Sequence, residues 1–302
     1  MNLKKPKDSL FFHLTQPLLC LVVLLTYSIG VGLSHYLGKP VNWINVFLAG
    51  FLGIFLILMR NFLMAYFDHP TAPTCKLHSE DLRYQELKTI KRQSVLVIAL
   101  TILTAGALDT LFLVMRKALN PAGILILGIA FLLCYFYAVP PISYAKKGYA
   151  ELSEAILVAN LIPGLAFLIG NPSLHVLLAM LTFPLTLLYL ALKIVWSLES
   201  YAFDRTHANQ TLVVRMDWQK ATVSHNFLIL AAFLLVGVFL LIGLPWGLTW
   251  PMLLPLFLGI FQIMQIQAIV GGVKPKWKLL KWTAAGTFAV TAYLVSFTLW
   301  VT

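Results

Sequence analysis

Nine times along this chain the sequence runs apolar for as long as a helix needs to cross a bilayer, about 20 residues. The runs cover roughly 10–36, 41–66, 94–116, 121–140, 152–171, 174–196, 221–243, 247–270 and 279–301. Backbone polar groups in hydrocarbon must be satisfied within their own segment, so each run is forced to be helical. Proline or glycine marks most of the ends, as at Gly38-Lys39-Pro40, Asn120-Pro121, Pro140-Pro141, Gly170-Asn171-Pro172 and Gly243-Leu244-Pro245. The composition agrees: 60% of the 302 residues are hydrophobic and 11% charged, more apolar surface than a water-soluble fold can bury. The alternating ten-residue segments of a membrane β-barrel are not seen. The basic start 1-MNLKKPKDSL-10 enters a full spanning run without an A-x-A-like site, so no cleaved signal peptide is expected. The expectation is one all-α membrane domain over 1–302.

Charge is confined to a few connections. The N-terminus and the loops between runs 2–3, 4–5, 6–7 and 8–9 carry nearly all the Lys and Arg, while the opposite side has Lys39, Arg116 and Lys117. The positive-inside rule puts the charged loops in the cytoplasm and the C-terminus outside. It also accounts for the net charge of +11, so nucleic acid is not an expected partner. Cys20, Cys75 and Cys134 are too far apart in sequence to read as a disulfide or zinc framework.

Two of the charged loops are long, about 67–93 and 197–220, and each begins at a run's end with an acidic residue. In 61-NFLMAYFDHPTAPT-74 that residue is Asp68, the first since Asp8; in 197-SLESYAFDRTHANQTLVVRMD-217 it is Asp204. The two occupy corresponding places on one face of the membrane. If the sixth helix continues to Asp204, Ser200, four residues before, shares its face, whereas Glu199 diverges.

Three segments together resemble the UbiA superfamily of intramembrane prenyltransferases. The stretch 204-DRTHANQTLVVR-215 is similar to the second aspartate-rich loop, D-x-x-x-D-R-x-x-G-x-x-T-L-x-V-R, at Asp204, Arg205, Thr211, Leu212, Val214 and Arg215. The stretch 137-YAVPPISYAKKGYAELSEA-155 is similar to the Tyr-x-x-Pro-Pro…Gly-x-x-Glu element. The stretch 61-NFLMAYFDH-69 retains Asn61, Tyr66, Asp68 and His69 of N-x-x-N-D-Y-x-D-H, with Met64 and Ala65 at the Asn-Asp pair. The four-before-aspartate position of the second loop is Ser200, its glycine position is Ala208, and the usual basic residues after helix 4 fall on Ser143 and Ala145, followed by Lys146 and Lys147.

The resemblance implies nine helices around a central cavity that opens laterally to lipid, capped on the cytoplasmic side by loops 2–3 and 6–7. It implies an isoprenyl diphosphate as substrate, a lipophilic acceptor, and Mg2+ held by Asp68 and Asp204 with Asn61 assisting. Arg205, Lys146 and Lys147 would neutralise the diphosphate, and Tyr137 and Ser200 would line the site. The same resemblance leaves open a terpene cyclase, or a homologue that binds a prenyl lipid without turning it over. Hard carboxylate oxygens suit Mg2+ on a diphosphate, and imidazole does not, so His69 and His207 are not expected ligands. Asp109, within run 3, is expected to pair with Arg116 or to serve the cavity. Glu151 is read as structural, and Glu154 one turn on as a residue that can face the cavity.

Overall fold

The computed structural model describes residues 8–75, 77, 82–207 and 209–302. Among them are nine helices long and apolar enough to cross a membrane, and no strand. They are α1 (Phe12–Tyr36), α2 (Trp43–Phe67), α3 (Arg92–Met115), α4 (Pro121–Ala138), α5 (Ala150–Leu168), α6 (Val176–Thr206), α7 (Trp218–Ile242), α8 (Trp246–Val270) and α9 (Trp277–Val301).

Local chemistry sets the boundaries. The Asn42 side chain accepts from Asn45 N at 3.3 Å to start α2, and Asn120 accepts from Gly123 N at 2.7 Å to start α4 with Pro121 in its first turn. α1 is interrupted at Gln16 (φ 46°), because the proline that follows disfavours the helical region for the residue before it. α5 widens into a π segment, Leu157–Leu161, just before Pro163, which has no N–H to donate. α8 breaks at Leu254–Pro255. α6 outruns its apolar stretch: its 31 residues make a rod of about 46 Å, well beyond a hydrocarbon core of about 30 Å. Asp204 and Arg205, expected in a loop, therefore lie on the last turns of a helix.

α5 and α6 are the most enclosed spans and α3 and α8 face outward most. α1 packs on α5, α9 on α1 and α6, α7 on α6, α8 on α9, and α2 on both α3 and α4. The α1–α5 contact depends on Gly30, where a Cβ would lie 2.1 Å from Pro163 O. α1 and α9 are pinned by the Ser28 and Ser296 hydroxyls, 2.6 Å apart, and by His35 stacked on Trp300. An apolar cleft of about 380 Å³ lies between α2, α3 and α4, lined by Leu52, Leu56, Met59, Ile102, Gly106 and Phe131 among others.

At the end where α2, α4 and α6 finish, three connections gather. The first carries a short helix, Leu82–Lys88, the second a 3-10 turn, Tyr144–Lys147, and the third a helical turn, Leu212–Met216.

Candidate functional site at the cap end of the bundle

Asp68 ends α2 as its C-cap residue and is buried. Lys146 Nζ, from the second connection, lies 2.7 Å from Asp68 Oδ1, and Arg83 Nη2, from the first, lies 3.7 Å from Oδ2. Lys146 Nζ also donates to Thr74 O at 2.9 Å, so one ammonium ties the first connection to the second. The first connection is further ordered by His69, whose ring nitrogens meet Thr71 Oγ1 and Ile90 O at 2.9 Å each. Arg92 donates from Nε to Tyr66 O and sits over the Tyr66 ring, 4.2 Å from its centroid.

Asp204 is also buried, with different company. Ser200 Oγ donates to its Oδ2 at 2.6 Å, the pairing expected of residues one helical turn apart, and Asn209 Nδ2 donates to Oδ1 at 3.3 Å. Glu199 turns away to an ion pair with Lys281 of α9. Glu151 is structural, as expected: its carboxylate accepts from Ser197 Oγ of α6 and from Leu212 N, fixing the third connection against α5 and α6. Arg215 closes the cap by donating to Lys147 O at 3.3 Å while lying over the Tyr149 ring.

Two expected diphosphate contacts point elsewhere. Arg205 is exposed and donates to Tyr201 OH at 3.1 Å; Tyr201 in turn donates to Asp217 Oδ1 at 2.5 Å. That hydrogen bond, with the one from Trp218 N, holds the Asp217 carboxyl below the usual carboxylate range. Lys147 is exposed, its Nζ 3.5 Å from Pro141 O. Burial pushes the Tyr144 phenol upward, and its hydroxyl has no hydrogen-bond partner among the described residues.

Beneath the cap lies a charged cluster that crosses three spans. Arg60 of α2 donates from Nη1 to Glu154 Oε2 at 3.1 Å, Lys193 Nζ of α6 sits 3.2 Å from Glu154 Oε1, and Tyr189 OH donates to that same oxygen at 2.6 Å. The Arg60 guanidinium covers the Tyr137 ring at 4.6 Å from its centroid. Two cations share one carboxylate inside the bundle. Glu154, a residue that can face the cavity from its place one turn beyond Glu151, does turn inward, and Lys193 and Tyr189, which the sequence reading does not single out, meet it there. Lys193 had a signal, since it is an ionisable residue inside an apolar run and such residues mark interior sites.

Asp109 is buried in α3, and neither of its carboxylate oxygens has a hydrogen-bond partner among the described residues. The expected pairing with Arg116 is not formed. Arg116 is the C-cap residue of α3 and donates instead from Nε to Asn45 Oδ1 of α2 at 2.6 Å.

The side chains present do not suit the Mg2+ that the resemblance implies. Asn61 is spent: its Oδ1 accepts from Arg60 Nε and Nη2, and its Nδ2 donates to Leu14 O. Both oxygens of Asp68 face protein cations. Asp204 remains as one carboxylate with two neutral donors, and no group of three or more His, Cys, Asp or Glu able to hold a metal occurs among the described residues.

No family model matches the chain, and no curated protein does. Solved structures do. A UbiA homologue from Archaeoglobus fulgidus, bound to GPP and Mg2+, superposes with a TM-score of 0.70 at 17% identity, over 97% of this chain and 100% of that one. A digeranylgeranylglyceryl phosphate synthase in membranes gives 0.69 at 17% identity over 97% and 99%. The apo UbiA homologue from Aeropyrum pernix K1 gives 0.57 at 16% identity over 92% and 96%. With nearly full coverage of each partner, this chain has the fold of these UbiA homologues.

Proposed function

We propose that this protein is an intramembrane prenyltransferase that moves an isoprenyl group from a polyprenyl diphosphate to a lipophilic acceptor. One observation carries the reading. The apolar cleft between α2, α3 and α4 reaches Met59 on α2, and the charged layer of the bundle starts at the next residue, Arg60, and continues upward to Asp68 and Lys146. An apolar cleft and a cation-rich layer further along the same helix offer the two environments that an amphiphile with a long hydrocarbon tail and an anionic head needs. The relation of fold to substrate supports it, since the Archaeoglobus homologue of the same fold was solved with GPP.

In this reading Lys146 and Arg83, oriented by Asp68, take the charge that develops on the diphosphate as its bond to C1 of the isoprenyl group breaks. Both bonding electrons leave with the diphosphate. The allylic cation persists until the acceptor bonds to C1 and gives up a proton. Fixed cations aimed at a leaving group whose charge grows stabilise the transition state more than the ground state. Asp204, held by Ser200 and Asn209, closes the other side of the cap. By the positive-inside rule, the excess of Lys and Arg at this end supports a cytoplasmic position for it.

Diphosphate release tests the reading. The purified protein in lipid is incubated with geranyl, farnesyl and geranylgeranyl diphosphate, alone and with aromatic or other lipophilic acceptors, with Mg2+ and with EDTA. Release that needs an acceptor and falls at least tenfold in Asp68→Ala and Asp204→Ala is the expected result. Release without acceptor, with a cyclised product, identifies a terpene cyclase. Saturable binding with no release under any condition identifies a non-catalytic prenyl-lipid binder.

A further inference from the structure

We propose that Lys146 is the resident counter-cation of Asp68, and that the cap grips diphosphate with protein cations and without a divalent metal at Asp68. The proposal rests on the isoprenyl diphosphate reading above and says how its headgroup is held.

The argument starts from the donor inventory. A lysine ammonium has three N–H donors and no acceptor. In Lys146 one meets Asp68 Oδ1 at 2.7 Å and one meets Thr74 O at 2.9 Å, which leaves one uncommitted among the described residues. The side chain is 12% exposed and that of Asp68 5%, so the pair is formed out of bulk water, where it is screened little. A divalent ion entering at Asp68 would have to displace this ammonium and sit against it, with the Arg83 guanidinium 3.7 Å from the other carboxylate oxygen.

Charge points the same way. Among the described residues, Asp68 contributes one negative charge, and Lys146 and Arg83 contribute two positive ones. The group is therefore attractive to a diphosphate and repulsive to Mg2+. The remaining oxygen donor expected nearby, Asn61, has both amide atoms engaged by Arg60 and Leu14. Arg60 and Lys193 against Glu154 repeat the surplus of one cation lower in the bundle. A chain that keeps a carboxylate at this place but surrounds it with lysine and arginine uses it to aim the cations.

Two readouts separate this from a metal site, and neither depends on turnover. The first is calorimetric titration of the protein in nanodiscs with inorganic diphosphate and with farnesyl diphosphate, each in EDTA and in Mg2+. The second is a Mn2+ titration followed by electron paramagnetic resonance. The wild type is expected to bind both diphosphates with affinities in EDTA and Mg2+ that agree within about threefold, and to hold no Mn2+ at Asp68. Lys146→Met is expected to lose about tenfold or more in diphosphate affinity in EDTA. Lys146→Arg keeps a cation there and is expected to retain metal-free binding. If Lys146→Met does not purify as a folded protein, the wild-type comparison of EDTA with Mg2+ decides alone. Diphosphate binding that needs Mg2+, or a wild-type Mn2+ signal lost in Asp68→Asn, overturns the proposal. No binding of either diphosphate in EDTA or Mg2+ overturns the isoprenyl diphosphate reading itself, and this proposal with it.

Discussion

Removing the Glu154 carboxylate leaves Arg60 and Lys193 in the bundle with their shared partner gone. Breaking a buried ion pair by deleting one partner is far more costly than replacing the whole group, because the remaining charge has no water to return to. The side chains of Arg60 and Glu154 are only 2% and 7% exposed, so solvent screening offers little relief. Glu154→Ala is therefore expected to destabilise the protein by about 3–5 kcal/mol, read as a shift in unfolding midpoint in detergent micelles. An Arg60→Met, Glu154→Leu double variant is expected to lose less than the two single losses added together. Additive losses would mean that the two side chains act independently. The same residue-scale logic explains why part of this site was legible early. Asp204 and Ser200 follow from spacing along one helix, and Asp68 and Asp204 from the motifs they resemble. Lys146 as Asp68's partner does not, since 78 positions separate them in the chain and only the packing of α2 against α4 brings their ends together.

Contacts between elements are where small changes meet rigid backbone. Gly30 lets α1 approach α5 until a Cβ would be 2.1 Å from Pro163 O. A carbonyl on a helix cannot swing aside as a side chain can. Gly30→Ala is expected to cost about 1–3 kcal/mol or to push α1 outward, and either lowers the melting temperature in micelles; an unchanged melting temperature would mean that α1 is not seated this closely. The α6–α7 connection is held differently, by Tyr201 OH and Trp218 N on the Asp217 carboxylate. A carboxyl held below its ordinary value stabilises above about pH 3.9 and loses that contribution as the pH falls toward the lowered value. Acidification below about pH 4 is expected to make this connection more sensitive to proteolysis. Tyr201→Phe removes that hydrogen bond and is expected to shrink the acid-induced increase in sensitivity. Identical acid profiles for the two proteins would mean that the hydrogen bond carries no pH dependence.

For the whole molecule the open variable is its direction in the membrane. Lys88, next to the cap, and Lys117, at the other end of α3, are both exposed. In a background with Cys20, Cys75 and Cys134 replaced, Lys88→Cys is expected to react with an impermeant maleimide only after the cytoplasmic face is opened, and Lys117→Cys from outside intact cells. The reverse pattern would invert the protein and put the cap on the outer face, away from a cytoplasmic supply of diphosphate.

The sequence by itself determined that this is a membrane protein whose described residues hold nine spanning helices, because about 20 apolar residues in a row have one stable solution in a bilayer. It also marked the boundary at Asn120-Pro121, where the Asn120 side chain accepts from a backbone N–H three residues on. Only the tertiary structure decided what the charges do. α6 runs on to Thr206 because it is packed on α7 and α5, although its apolar signal stops near 196. Arg116 leaves Asp109 for Asn45, Asn61 is consumed by Arg60, and Lys146 settles on Asp68. Apolar periodicity is a property of one segment and survives without its neighbours. A buried charge has no defined energy until the chain has supplied its partner, and here the partners come from other helices.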